Sequence, residues 1–329
     1  MDVQAYLIQA LSPLHAGTGQ AVGVIDLPIA RMRATGIPFV PGSSIKGVLK
    51  DARRSRDGLS RRNELYAVFG PDRGESGQAG DHGGHDPEQR SSQASKAPDD
   101  DRGIEHAGAL MVGDARLLAL PVRSFRGTFA YVSSPLLLHL ARRDLLAAGA
   151  SASLPAVPEM APPVRRACVA NKDFLTLNGK AYFEDITLGA TQNDSAVRWG
   201  ECLAAAMQDD DKASMRDRFA IVDDDTMAFF WETATQVDTR VRIDHGTHVV
   251  ADRQLWTEES LPSETLLMGL MGAHGSRRAN TAMTPAEVLG YGLPVTDNGE
   301  YVQFGGKATV GKGRCALYRW NPVASGGKQ

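Results

Sequence analysis

The sequence predicts an α+β fold. Three observations carry that expectation. Some stretches are apolar or alternating runs between turn signals, as strands are; others repeat apolar residues every three to four positions, as helices do. The two kinds interleave without the regular spacing of βαβ units. At 329 residues with 42% hydrophobic content, the chain suits one large or two modest domains with a real core.

Residues 3–12, VQAYLIQALS, read as a first strand, and Gly36–Pro41 as a short second one. In PGSSIKGVLKDARRSR, Ser43 or Ser44 is expected to cap a helix. Ile45, Val48, Leu49 and Ala52 form its apolar face, with Lys46, Lys50 and Arg53 or Arg54 on the other side. Residues 71–106 are rich in Gly, Ser, Asp and Gln and read as a polar insertion. Structure resumes at ALMVGDARLLALPVRS, and a helix follows with Ser134 as cap, Pro135 at its first position and Gly149 as terminator. Residues 151–164 form a proline-rich loop, and VRWGECLAAAM is again helical. In residues 231–262, Val237, Thr239, Val241 and Ile243 alternate with polar residues, and the DHG turn at 244–246 predicts a hairpin. LPSETLLMGLMG returns to the core as strand or helix, and YVQFGGKATVGKGRCALYRW is a glycine loop followed by a strand.

No apolar stretch reaches the roughly 18 residues of a membrane span, and no leader pattern opens the chain, so no membrane partner is expected. Three scattered cysteines without a CxxC pair fit a reducing cytoplasm. The net charge of −3 conceals an uneven distribution. Val24–Tyr66 holds nine Lys/Arg against four Asp/Glu, and Val302–Arg319 holds four basic residues and no acid. Gly70–Glu105 holds nine acidic against four basic residues. Such segregation leaves room for a basic groove.

Gly306–Lys312 has the G-x4-G-K spacing of a phosphate loop, but Gly313 replaces the metal-binding hydroxyl and a strand follows instead of a helix, so an NTPase is excluded. What remains is a loop of Gly305, Gly306 and Gly311 with Lys307, Lys312 and Arg314, read either as a phosphate-chain cradle or as a tight turn with solvated lysines. The PGSSIKG helix start has a lysine and no acid in its first turn, so an external phosphate would complement it; an ordinary serine-capped helix is the other reading. Asp26 is either a turn carboxylate or a general base or metal ligand. His15 is either a loop imidazole or a group that positions phosphate. Asp81-His82-Gly-Gly-His85-Asp86 has metal-ligand residues but lies in the polar insertion with no core to hold their geometry. No covalent-catalysis motif is present.

The run HAGTGQAVGVIDLPIARMRATGIPFVPGSSIKGVLKDARR resembles the N-terminal signature of the RAMP superfamily, specifically of the backbone subunits of type III-B CRISPR effectors. The resemblance continues through GALMVGDARLLALPVRSFRGTFAYVSSP, VDDDTMAFFWETATQVDTRVRID, LWTEESLP and VQFGGKATVGKGR. It implies a modified RRM/ferredoxin-like palm (1–70, 107–235 and 263–329), the polar insertion (71–106) and a thumb β-hairpin (236–262). It also implies copies stacked head to tail on a CRISPR guide RNA, with other subunits of the type III-B complex, cutting a complementary target RNA at intervals of about six nucleotides where a base is flipped out. The cut is divalent-metal-dependent (Mg²⁺ or Mn²⁺) and leaves a 2′,3′-cyclic phosphate, with Asp26 as the implied catalytic and metal-binding carboxylate and His15 and Glu258 as further catalytic candidates. Guide contacts map onto Ser43, Ser44, Lys46 and Lys50 and onto Gly305–Arg314, and Trp256 would lie near bases. Met32 stands where the family's run would carry an acid. Two other functions compete: a filament subunit that binds guide RNA without cutting, and a stand-alone guide-processing ribonuclease using a His-centred site.

Overall fold

The computed structural model describes residues 1–17, 25–71, 106–150, 154–160, 165–243, 246, 250–278, 280–293 and 299–321. The DHGGHD cluster, nearly all of the polar insertion and two residues of the DHG turn lie outside these residues.

The chain opens with β1 (Asp2–Ala10), β2 (Phe39–Val40), α1 (Gly42–Asp57) and α2 (Arg62–Phe69). Then come β3 (Leu110–Val112), β4 (Ala115–Arg123), β5 (Phe129–Ser133) and α3 (Pro135–Ala147). A second stretch holds β6 (Arg166–Val169), α4 (Lys172–Leu175), β7 (Lys180–Phe183), β8 (Ile186–Gln192), α5 (Asp194–Ala204), α6 (Asp209–Arg218), β9 (Phe219–Val222) and α7 (Asp224–Thr233). Last are β10 (Gln236–Ile243), β11 (Val250–Ser260), β12 (Leu266–Ala273), α8 (Pro285–Gly292), β13 (Glu300–Gln303), a 3₁₀ turn (Ala308–Val310) and β14 (Arg314–Trp320).

The α+β expectation holds. Twelve strands form one mixed sheet in the order β13-β14-β1-β12-β4-β5-β9-β6-β8-β7, with β2 beside β4 and β3 beside β12. The first strand reads as a nearly continuous apolar run because it is central and covered on both faces. Tyr6, Ile8 and Ala10 enter one core, while Ala5 and Leu7 enter the other. LPSETLLMGLMG resolves as strand β12, antiparallel to β1 over eight residue pairs. The glycine loop leads into β14 and no helix, as the rejection of a phosphate-loop NTPase requires. No helix among the described residues is long and apolar enough to cross a membrane.

Three local expectations need correction. Ser43 and Ser44 do not cap α1: Pro41 holds that position without a side-chain bond, and the Gly42 N–H donates to Asp114 Oδ1 at 2.8 Å. Ser134 stands at the N-cap of α3 but makes no capping bond; the Leu136 N–H donates instead to Asp224 Oδ1 at 2.8 Å. Both helices take their N-terminal carboxylate from a distant segment, as the partial positive charge of a helix start favours. Arg53, placed on the polar side of α1, is fully buried, ion-paired with Glu300 and donating to the carbonyl oxygens of Tyr291 and Gly292. α8 carries a capping box, with Thr284 and Glu287 each bonding the other's backbone N–H. Its sequence form is the Thr-Pro-x-Glu run at residues 284–287.

Candidate functional site

β10 and β11 form a two-stranded ribbon apart from the large sheet. Alternation identified the ribbon but not which face turns inward. In an antiparallel pair, directly opposed residues share a face. Asp238 opposes Glu258 and Arg240 opposes Trp256, and this polar face points to the protein. The apolar face, with Val241 opposite Leu255, is exposed, at 46% and 63%.

A buried charge explains the inversion. Lys312, only 4% exposed, donates to Asp238 Oδ2 at 2.6 Å and to Ser260 Oγ at 3.0 Å. Its ammonium also lies 3.9 Å from Glu258. Lys307 Nζ donates to Glu258 Oε1 at 2.8 Å, and the Trp256 indole N–H donates to the same oxygen at 2.7 Å. Burial pushes the Glu258 carboxyl up, but the bonds from Lys307 and Trp256 and the two lysine charges outweigh it and hold it below the ordinary range. As a phosphate cradle or as a turn with solvated lysines, the loop was expected to hold its lysines outward; Lys312 is instead turned inward, and both lysines clamp the hairpin to the glycine loop. Gly305, Gly306 and Arg314 remain exposed. Gly305 has φ +73°, and a Cβ there would collide with the His15 carbonyl oxygen, which accepts from the Gly306 N–H at 3.0 Å.

The loop carrying Asp26 runs beside β11. Leu27 bridges Glu258 in parallel, the Leu27 N–H donates to the Thr257 carbonyl and the Glu259 N–H to the Leu27 carbonyl. This pairing puts exposed Asp26 against Thr257. The Thr257 N–H and hydroxyl both donate to Asp26 Oδ2, at 2.8 and 3.0 Å, and the Asp26 N–H donates to Thr257 Oγ1 at 3.1 Å. The backbone bond first, then the hydroxyl bond, holds the Asp26 carboxyl below its usual range and so ionised. Thr257 opposes Thr239 on the same ribbon face as Val241 and Leu255. The candidate carboxylate thus lies at the root of an outward apolar face.

Beneath it, Glu259 anchors the assembly. At 1% exposed, it takes Arg31 as a two-pronged partner at 2.6 and 3.0 Å, the Ile29 N–H at 3.1 Å and the Thr235 hydroxyl at 2.8 Å. The Arg31 guanidinium also donates to the Trp231 carbonyl. His15 is 7% exposed, with Nδ1 2.6 Å from the Glu259 carbonyl oxygen, so that nitrogen donates. Burial pushes the Glu259 carboxyl up, yet the Arg31 bonds and charge and the Ile29 and Thr235 bonds leave it below the ordinary range. A carboxylate lowered in the folded state contributes stability that is present above its unfolded value, about 4.5, and lost as pH falls through the folded one. Replacing Glu259 with Gln is expected to remove this component, flattening the acid limb of the stability curve; an unchanged limb in circular-dichroism titrations would show the pair is not formed.

At the other cradle, Lys46 is half-buried and donates to the Leu110 carbonyl at 2.8 Å, while Lys50 donates to the Gly70 carbonyl at 2.7 Å. Burial, then the charge of Lys50, pushes the Lys46 ammonium down. Lys46 and exposed Ser43 line an open pocket of about 490 Å³ with His274 and Arg277. Sequence reasoning missed Thr257, Glu259 and Arg31 at the first site and His274 and Arg277 here. Thr257 and Glu259 flank Glu258 in LWTEESLP, and Arg31 precedes Met32 in the LPIARM run; His274 and Arg277 carry no such signal. No group of three or more His, Cys, Asp or Glu suited to a metal occurs among the described residues.

Comparisons with known proteins identify the family and the fold. The RAMP superfamily model matches residues 7–316. The CRISPR system Cmr endoribonuclease Cmr4 of Pyrococcus furiosus is 31% identical over 315 residues, covering 94% of each chain. The crystal structure of oligomeric Cmr4 from the same organism superposes with a TM-score of 0.64 at 26% identity, over 96% of this chain and 98% of that one. The cryo-EM structure of type III-B Cmr-beta bound to cognate target RNA, at 18% identity and a TM-score of 0.65 over 97% of both chains, shares the fold. A signature spread over nearly the whole chain, an RRM-like palm architecture and a separate β-ribbon all lead to one assignment: this chain belongs to the RAMP superfamily, in its Cmr4 branch.

Proposed function

We propose that the chain is a guide-RNA-binding backbone subunit of a type III-B effector and an endoribonuclease within that assembly, cutting the target RNA paired to the guide. The observation that carries the reading is Asp26: exposed, ionised and fixed by Thr257 at the root of the outward ribbon face. Residues 236–262 serve as the thumb and the large sheet with its helices as the palm. Such an effector works in the cytoplasm, where the three free cysteines are at home.

The chemistry is an in-line displacement on RNA. The 2′-oxygen bonds to phosphorus, the bond to the 5′-oxygen breaks, the 2′ proton leaves to a base and the departing oxygen takes a proton from water. The outward apolar face, by displacing a base, splays the linkage so that the 2′-oxygen can approach in line. A carboxylate held below its usual range is a weak base, so Asp26 acts mainly through its charge. A hydrated Mg²⁺ or Mn²⁺ fits a lone protein carboxylate because it keeps several waters and takes other ligands from phosphate. Asp26 would hold it, and it would neutralise charge developing on the phosphate oxygens. Glu258 and His15, both buried and bonded, position the loop and the hairpin.

Lys46 offers an independent check on guide binding. Lys46→Ala is expected to weaken the complex several-fold and lower the slope of log affinity against log salt by about 0.7, the value for one single-strand phosphate contact. An unchanged slope in filter-binding series would remove Lys46 from the guide path. The decisive experiment reconstitutes the complex with guide and end-labelled complementary RNA. A product ladder spaced by about six nucleotides supports cutting at successive subunits; uncut target bound to an assembled complex favours a non-cleaving subunit.

A further inference from the structure

The two most exposed large apolar side chains among the described residues are Leu59, at 84%, and Phe125, at 74%. They belong to different parts of the fold. Phe125 occupies the turn between β4 and β5, where its N–H donates to the Tyr182 carbonyl of edge strand β7 and its ring meets the Tyr182 ring edge-on at 6.0 Å. Arg126 follows it, exposed. Leu59 sits between α1 and α2, and α1 is fastened to the other edge strand, β13, by the Arg53–Glu300 pair.

The residues flanking Leu59 in the chain, Asp57 and Arg61, line an open groove of about 740 Å³ that the guide and target readings leave unused. It is lined by Arg61, Glu64, Met283, Glu287 and Tyr291, among others. The Arg61 guanidinium covers one face of the Tyr291 ring at 4.6 Å and remains 46% exposed. The same protein completes such a contact elsewhere: Arg218 is held between Phe129 and Phe174, at 5.1 and 4.7 Å from the two ring centroids. Among the described residues Arg61 has one ring and, at 3.4 Å, the Glu64 carboxylate beside it.

Resting on the filament reading above, we propose that the Phe125 turn of one copy docks into the Leu59–Arg61–Tyr291 groove of the next. Phe125 supplies the second ring over Arg61 and packs against Leu59 and Met283, while Arg126 meets Glu64 and Glu287. An aromatic on a guanidinium and a basic side chain on carboxylates are complementary contacts. Because knob and groove are different patches, the contact is heterologous and leaves each copy a free knob and a free groove for further copies.

Mixing of full-length variants tests it by sedimentation velocity, with and without guide RNA. Phe125→Asp and Leu59→Asp both change highly exposed side chains, and unchanged melting curves verify their folding. Each variant alone is expected to need at least about a tenfold higher concentration to assemble. An equimolar mixture is expected to form dimers through its one intact knob–groove pair, and nothing longer. Variants that assemble like the wild type, or a mixture that shows no dimer, overturn the proposal while leaving the filament intact. A wild type that stays monomeric even with guide removes the filament reading itself. Loss of guide binding by Phe125→Asp with self-association unchanged assigns the turn to RNA, and also overturns the proposal.

Discussion

Asp26→Asn is expected to abolish target cutting while the subunit still folds, assembles and binds guide and target. Asparagine retains an acceptor for the Thr257 N–H and hydroxyl that now bond Asp26 Oδ2, so the loop keeps its place beside β11. What it loses is the negative charge, and the expected fall in single-turnover cleavage is at least about a hundredfold. Asp26→Glu keeps the charge but moves it by about the length of a methylene. A misplacement of roughly 1 Å costs on the order of a hundredfold where geometry is limiting, so this variant is also expected to be severely impaired. Cleavage by the Asn variant within tenfold of wild type would make Asp26 a structural turn residue and place the cutting chemistry elsewhere.

The largest stability effect is expected at Arg31. Arg31→Met strands Glu259, whose side chain is 2% exposed, without its cationic partner. Removing one member of a buried pair costs about 3–5 kcal/mol, because the remaining charge is neither solvated nor balanced. The double variant Arg31→Met/Glu259→Gln is expected to recover much of that loss, since Gln keeps its oxygen as acceptor for the Ile29 N–H and turns its amide NH2 to donate to the Thr235 hydroxyl, with no unpaired charge. Chemical denaturation of both singles and the double measures the coupling. A single-variant loss below about 1 kcal/mol would mean the pair behaves as a surface ion pair, and the account of how the Asp26 loop is held would fail.

Much of the architecture was legible because it follows from local periodicity. The β1 run, the Ile45–Leu49 face of α1, the Pro135–Gly149 helix and the alternation of β10 all depend on residues close in the chain. The short elements between Arg166 and Gln192 were missed because strands of four to seven residues around a single helical turn carry too few positions to show a period. Asp26 was singled out as a carboxylate among glycines and small apolar residues, and the family signature gave it a role. Its partner Thr257 lies 231 residues away, and no pattern in one sequence pairs them.

Charge makes the division plain. By itself the sequence determined the α+β class, the amphipathic helix after Pro41, the hairpin, the glycine loop and the segregation of basic from acidic segments, because each is a property of neighbouring residues. Only the tertiary structure decided which charges face solvent. Lys312 and Arg53 look like surface cations in the chain, yet one is turned onto Asp238 and Glu258 and the other onto Glu300. The helix starts at Gly42 and Pro135 find their carboxylates in Asp114 and Asp224. Burial of a charge depends on a counter-charge brought by folding from far along the chain, so its direction is set by the assembled sheet and helices.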